Sequence, residues 1–286
     1  MKRVHIVSIC GVAMSALAKI LKDRGYSVTG SDEDVHPPVT DLLTEYGIPY
    51  VEGHRAENLG DPLPDLVVVG NHAALDNPEV VAAREAGLPI LSLPQMLHEL
   101  LADYEPVVVT GTHGKTSTCS LLAWMLERAG LDPSFMVGGI PRNLGVNTKL
   151  GSGKLFLLEG DEYLSAKFDR TPKFLYYRPR IGIVMNVALD HINFFSGQEE
   201  YIDAFKRFAA LVPADGLLLA GIDSPNVASV AAAATSRSKP LALPATPSGR
   251  RPTFAWSRNG AFSTCCTAGN PTCVMSSWHS RVATYS

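Results

Sequence analysis

Thr110-Gly111-Thr112-His113-Gly114-Lys115-Thr116-Ser117 stands between the apolar run Val107–Val109 and a segment of helical periodicity that reaches about Ala129. Strand, glycine loop and helix in that order form the setting a phosphate-binding loop requires. Glycines let backbone N–H groups turn towards an anion, and the helix N-terminus adds a partial positive charge. In that setting Lys115 reaches a β/γ phosphate and Thr116 offers a hydroxyl to Mg²⁺. The full pattern asks for glycine at position 109, where Val109 stands, so the match is to a shorter variant, G-x-x-G-K-T. A chance lysine in a surface glycine turn is the competing explanation, and the flanking strand and helix weigh against it.

Two further clusters follow apolar strands. Leu157-Leu158-Glu159-Gly160-Asp161-Glu162-Tyr163 puts a carboxylate at a strand end, where open α/β sheets bind ligands. Glu159 is a hard oxygen ligand of the kind Mg²⁺ needs; a solvated acidic loop is the alternative. Met185-Asn186-Val187-Ala188-Leu189-Asp190-His191 repeats the pattern. Here His191 suits a metal or a phosphate, and Asn186 suits adenine or phosphate. Taken alone, an Asp-His pair after a strand is more often a structural hydrogen-bonding pair. Three such clusters in one domain favour a nucleotide site.

Working towards the N-terminus, strand and helix signals alternate. Strand signals at Val4–Ile9, Ser27–Asp32, Asp65–Gly70 and Pro89–Leu93 are separated by helical segments that stop at Gly25, Gly47 and Gly87. Such alternation predicts a parallel sheet covered by helices. The turn Ser8-Ile9-Cys10-Gly11-Val12-Ala13 keeps one glycine, Gly11, of the three in a dinucleotide fingerprint, and Asp32 ends the second strand where a ribose-binding acid would stand. A nucleotide diphosphate site and a nucleotide-free Rossmann-like domain both fit these residues. The fold expected is α/β: a Rossmann-like parallel-sheet domain over 1–104, then a P-loop-type central domain over 105–235.

The chain has 286 residues with a formal net charge of −3. No apolar run is long enough for a membrane span, and Met1-Lys2-Arg3 leads into a strand without a signal-peptide core. The charge is unevenly spread. Every acidic residue lies at or before Asp223, whereas Arg237, Lys239, Arg250, Arg251, Arg258 and Arg281 follow Ser236. Three of the five cysteines also lie there, and helical and strand periodicity stops after Thr235. Residues 236–286 are therefore expected to be an aberrant, disordered tail, of the kind a shifted reading frame produces. The scattered basic residues lack an aromatic platform, so a nucleic-acid-binding arm is disfavoured. Cys10 and Cys119 are all the cysteine of the body, as expected for a reducing cytoplasm.

Gly-Thr-His-Gly-Lys-Thr at 111–116, Glu159-x-Asp161-Glu162 and Asn186-x-x-x-Asp190-His191, in that order, resemble the Mur ligase family over about residues 1–235. Gly30-Ser31-Asp32, Pro94-Gln95-x-x-His98 and Tyr176-Tyr177-x-Pro179-Arg180 resemble the subgroup that attaches a recycled tripeptide; its near relatives add L-alanine. The resemblance implies an ATP- and Mg²⁺-dependent ligase that joins a murein tripeptide, or L-alanine, to UDP-N-acetylmuramate through an acyl phosphate. It implies catalytic roles for Lys115, Glu159 and His191. It implies nucleotide contacts from Gly111, Thr112, His113, Gly114, Lys115, Thr116, Ser117 and Asn186, and metal contacts from Thr116, Glu159 and His191. Gly11, Ser31, Asp32, Gly138, Gly139 and Asn143 would meet the UDP-sugar. A third, C-terminal domain belongs to the family pattern and is not found in this chain, so a nucleotide-binding module without turnover is the second expectation. Oligomeric state is left open, and neither nucleic acid nor membrane is an expected partner.

Overall fold

The computed structural model describes residues 1–188, 194–221, 224–241, 253–256 and 262–265. Met1–Leu241 forms one compact unit and Ala242–Ser286 another. The first unit contains two large sheets, the first all parallel and the second parallel except for its terminal β7–β8 pair.

The first sheet is built from β1 (Arg3–Val7), β2 (Ser27–Asp32), β3 (Tyr50–Glu52), β4 (Leu66–Val69) and β5 (Ile90–Ser92), in the order β3-β2-β1-β4-β5. All four pairings are parallel. The strand order reverses at β1, so the crevice beyond its carboxyl end is the expected ligand position. Helices α1 (Val12–Asp23), α2 (Val39–Glu45), α3 (Pro78–Glu85) and α4 (Leu93–Leu100) link the strands. The inner strands are apolar because both faces are covered: Val4, Ile6, Val67 and Val68 are fully buried. Local signals fix the helix starts. Asn77 accepts hydrogen bonds from Glu79 N and Val80 N at α3, and Ser92 and Gln95 form a capping box at α4.

The second sheet runs β14-β13-β12-β6-β9-β7-β8. Its strands are β6 (Glu105–Thr110), β7 (Ser134–Met136), β8 (Thr148–Lys149), β9 (Leu155–Gly160), β12 (Ile181–Val184), β13 (Leu217–Gly221) and β14 (Arg237–Leu241). Between β9 and β12 lies a short antiparallel hairpin, β10 (Leu164–Ala166) with β11 (Asp169–Pro172). Helices α5 (Lys115–Arg128), α6 (Gln198–Leu211) and α7 (Pro225–Ala231) complete the domain. One face of α6 buries Tyr201, Phe205 and Phe208, and the latter two pack against Phe174; the Phe174–Phe208 rings stack with centroids 5.1 Å apart. Gly160 sits where a Cβ would meet Val108 Cγ1 at 2.7 Å, so the close approach of β9 to β6 suits glycine.

The central sheet corrects the expected boundary at 235. β14 begins at Arg237 and pairs in parallel register with β13, from Leu217↔Arg237 to Gly221↔Leu241. The sequence hid this strand because Arg237-Ser238-Lys239-Pro240 has no apolar alternation; an edge strand does not need one. In the second unit, β15 (Thr253–Trp256) pairs antiparallel with β16 (Phe262–Cys265). A chain ending at Leu241 is expected to melt within about 2 °C of the full chain. One ending at Thr235, stripped of β14, is expected to melt at least about 4 °C lower, given roughly 2–4 °C per kcal/mol for a unit of this size. Differential scanning calorimetry decides between them.

Candidate active site

The carboxyl ends of β6, β9 and β12 converge on one loop. Gly111 and Gly114 adopt φ of +136° and +84°, conformations that favour glycine. A Cβ at Gly111 would come within 3.0 Å of the Asn186 backbone N and O. Lys115 is the first residue of α5. Its Nζ donates to Gly111 O at 2.8 Å and to Glu162 Oε2 at 2.9 Å, and the Glu162 side chain is wholly buried. Tyr201 OH donates to Glu162 Oε1 at 3.2 Å and lies 3.0 Å from Thr112 Oγ1. Thr112 in turn exchanges hydrogen bonds with the Ala188 backbone, Oγ1 donating to O at 2.8 Å and accepting from N at 3.0 Å. The loop is thus stitched from behind by a buried polar chain.

Glu159 stands in front. Its Oε2 accepts the Thr116 hydroxyl at 2.9 Å and its Oε1 accepts Gly138 N–H at 2.6 Å. Burial raises its carboxyl above the ordinary range, while the Gly138 N–H and Thr116 hydroxyl pull it back. Thr116 and Glu159 present adjacent hard oxygens, the donor chemistry Mg²⁺ prefers, so the residues present fit that ion. Gly139 is adjacent, its would-be Cβ 3.6 Å from Thr116 Cγ2.

These groups line a cleft of about 1150 Å³ that also takes in the β1–α1 turn of the first sheet. Cys10, Gly11, Asp32, His54, Asn71 and His72 line its far end, and Lys115, Thr116, Gly138 and Glu159 its near end. Asp32 Oδ2 accepts Cys10 N–H at 2.7 Å, so this acid secures the turn from which Gly11 caps α1. Ser8, where a dinucleotide fold would place a glycine, takes φ +64°.

Three of the expected site residues are placed away from the open cleft or engaged within the fold. Ser31 is completely buried and absent from the cleft lining. Its hydroxyl donates to Glu79 Oε2 at 2.5 Å, so it serves the interior of the first domain. Asn186 is spent on the loop: Oδ1 accepts His113 N–H at 2.8 Å and Nδ2 donates to His113 O at 2.9 Å. It therefore shapes the loop. Asn143 is exposed in a turn and does not line the cleft. His113 and Ser117 are exposed at the loop. Asp190 and His191 lie outside the described residues. The sequence assigned no role to Glu162 or Tyr201; the signal available was a third acid after β9.

The chain belongs to the Mur ligase family: the Mur ligase catalytic domain matches residues 3–105 and the Mur ligase middle domain residues 109–243. Among its relatives, the UDP-N-acetylmuramate–L-alanyl-γ-D-glutamyl-meso-2,6-diaminoheptandioate ligase of Haemophilus influenzae is 42% identical over 220 residues, 77% of this chain and 48% of that protein. The UDP-N-acetylmuramate–L-alanine ligase of Paenarthrobacter aurescens is 43% identical over 229 residues, 80% of this chain and 48% of that protein. The chain spans about half the length of the curated relatives it matches. Among solved structures, the UDP-N-acetylmuramate:L-alanyl-γ-D-glutamyl-meso-diaminopimelate ligase from Neisseria meningitides superposes with a TM-score of 0.80 at 33% identity, over 92% of this chain and 83% of that one. The UDP-N-acetylmuramate–alanine ligase of Thermotoga maritima gives a TM-score of 0.69 at 28% identity, over 80% of this chain and 51% of that one. Among the described residues no helix is long and apolar enough to cross a membrane.

Proposed function

We propose that the chain carries the nucleotide and sugar-acid half of an ATP-dependent ligase that joins an amine to the carboxylate of UDP-N-acetylmuramate. The observation that carries this reading is the single cleft shared by the β1–α1 turn and the Lys115–Thr116–Glu159 group. One end is built for a nucleotide sugar and the other for a phosphoryl group. ATP supplies the phosphoryl group that turns the carboxylate into an acyl phosphate, which the amine then displaces with release of phosphate. Lys115 neutralises the transferred phosphoryl oxygens, and the loop amides between Gly111 and Lys115 cradle them. Thr116 and Glu159 are the residues to hold Mg²⁺, with His191 a further ligand. Gly11 and Gly138 line the path of the sugar acid, Gly139 stands beside Thr116, and Asp32 keeps the far turn closed on it. We read the amine as the murein tripeptide, supported by the higher structural similarity to ligases of that class, with L-alanine the second candidate. A cytoplasmic location goes with a reaction that consumes ATP.

Calorimetric titration of the 286-residue chain with UDP-N-acetylmuramate and with a non-hydrolysable ATP analogue plus Mg²⁺ tests the binding half. Both ligands are expected to bind; failure of either removes its end of the cleft from this reading. Residues 1–241 fused to the C-terminal half of the Haemophilus relative are expected to release phosphate at least about tenfold faster with the tripeptide than with L-alanine. Such a ratio corresponds to about 1.4 kcal/mol of differential binding. The reverse preference makes L-alanine the substrate.

A further inference from the structure

Lysine is almost never fully buried without a close partner, because its ammonium is costly to remove from water. Lys173, which follows the β10–β11 hairpin, breaks that pattern. It is only 5% exposed yet lines the cleft. Its Nζ lies 3.4 Å from Asp161 Oδ2 and 4.2 Å from the centre of the Tyr163 ring. A charge-assisted bond between ammonium and carboxylate is normally about 2.7–2.9 Å, so the Asp161 contact is long. Among the described residues this is the one hydrogen bond its three donors make. Tyr163 stays a neutral phenol, held there by burial and then by the neighbouring Asp161 charge. It therefore steadies the ammonium through its ring face without neutralising it.

The charge census of the cleft sharpens this. Among the described residues its lining carries the acids Asp32, Glu33, Asp34, Asp76, Glu159 and Asp161, and two lysines, Lys115 and Lys173. Lys115 is already closed on Glu162 at 2.9 Å. A ligand with a carboxylate of its own entering this acidic cleft is favoured by a cation, and of these two lysines Lys173 has more donors in hand, two against one. We propose that Lys173 is a substrate-binding residue that takes the free carboxylate of the sugar acid, holding it for phosphorylation. This rests on the sugar-acid reading given above.

The test compares two nucleotide sugars that differ by the lactyl ether and the carboxylate it carries: UDP-N-acetylmuramate, which has this group, and UDP-N-acetylglucosamine, which does not. Binding is measured by calorimetry on the full chain without Mg²⁺. Lys173→Met is expected to weaken UDP-N-acetylmuramate by about 10- to 100-fold, the effect of losing a hydrogen bond to a charged group. Its effect on UDP-N-acetylglucosamine is expected to stay within about twofold. Asp161→Asn, which frees the ammonium from its competitor, is expected to tighten the carboxylate ligand alone, and it keeps the test decisive if Lys173→Met does not fold. Equal loss for both sugars, or no loss for either, overturns the Lys173 assignment while leaving the ligase reading intact. Failure of the unaltered chain to bind either sugar overturns the sugar-acid reading, and this inference with it.

Discussion

Replacing Lys115 with methionine is expected to have two separable effects. The first is on the ligand: loss of the ammonium should weaken binding of an ATP analogue by about 10- to 100-fold, as for any charged hydrogen bond to phosphate. The second is on the fold. Glu162 Oε2 would lose its partner at 2.9 Å while remaining fully buried, and breaking one side of a buried ion pair costs about 3–5 kcal/mol. The double variant Lys115→Met with Glu162→Gln tells the two apart. A glutamine has no charge to desolvate and can still accept from Tyr201, so most of the lost stability is expected to return in urea unfolding. Nucleotide affinity is expected to stay low. Recovery of both together would mean that Lys115 acts through the fold and that the phosphate role belongs elsewhere. Unchanged affinity in the single variant would remove the phosphate loop from the proposed site.

The behaviour of Lys115 shows what a sequence can and cannot state about such a site. The loop was legible because its chemistry is local: two glycines with positive φ, a lysine and a threonine at fixed spacing between a strand and a helix. The parallel sheets were legible for a related reason, since doubly covered strands read as apolar runs. Partners brought together from distant positions were not. Glu162 and Tyr201 are 39 residues apart and meet only because β9 ends beside the N-terminal turn of α6. Asn186 has the residue type of an adenine contact, and only the structure shows its amide closed on His113 from 73 residues away. Lys173 sits in a charged, hairpin-flanked stretch that reads as surface, and its burial is a tertiary fact. The edge strand β14 was missed because one of its sides needs no partner, and so its sequence carries no alternation.

Ser31 leads to the second large effect, because the group that draws it inwards is a buried carboxylate. Glu79 is completely buried in the first turn of α3. Ser31 Oγ donates to Oε2 at 2.5 Å, Asn58 Nδ2 to Oε1 at 2.5 Å and Arg55 N to Oε1 at 3.3 Å. His5 Nε2 and His54 Nδ1 each stand 3.4 Å from Oε2. Burial alone would push this carboxyl up; the nearby His5 ring and the bonds from Ser31 and Asn58 outweigh it and hold it down, from 4.5 to about 2. A carboxyl whose folded value is depressed stabilises the fold fully above its unfolded value and loses that contribution as pH falls through the folded one. The shift is worth about 3 kcal/mol at neutral pH. Glu79→Gln is therefore expected to be about 3 kcal/mol less stable than the parent at pH 7 in urea unfolding, with m unchanged. The gap should narrow from about pH 5 downwards and nearly close by about pH 2, where the parent's own carboxyl is half protonated. A gap that stays constant across that range would mean that the loss comes from packing, and that the charge of Glu79 does not hold β1, β2 and α3 together.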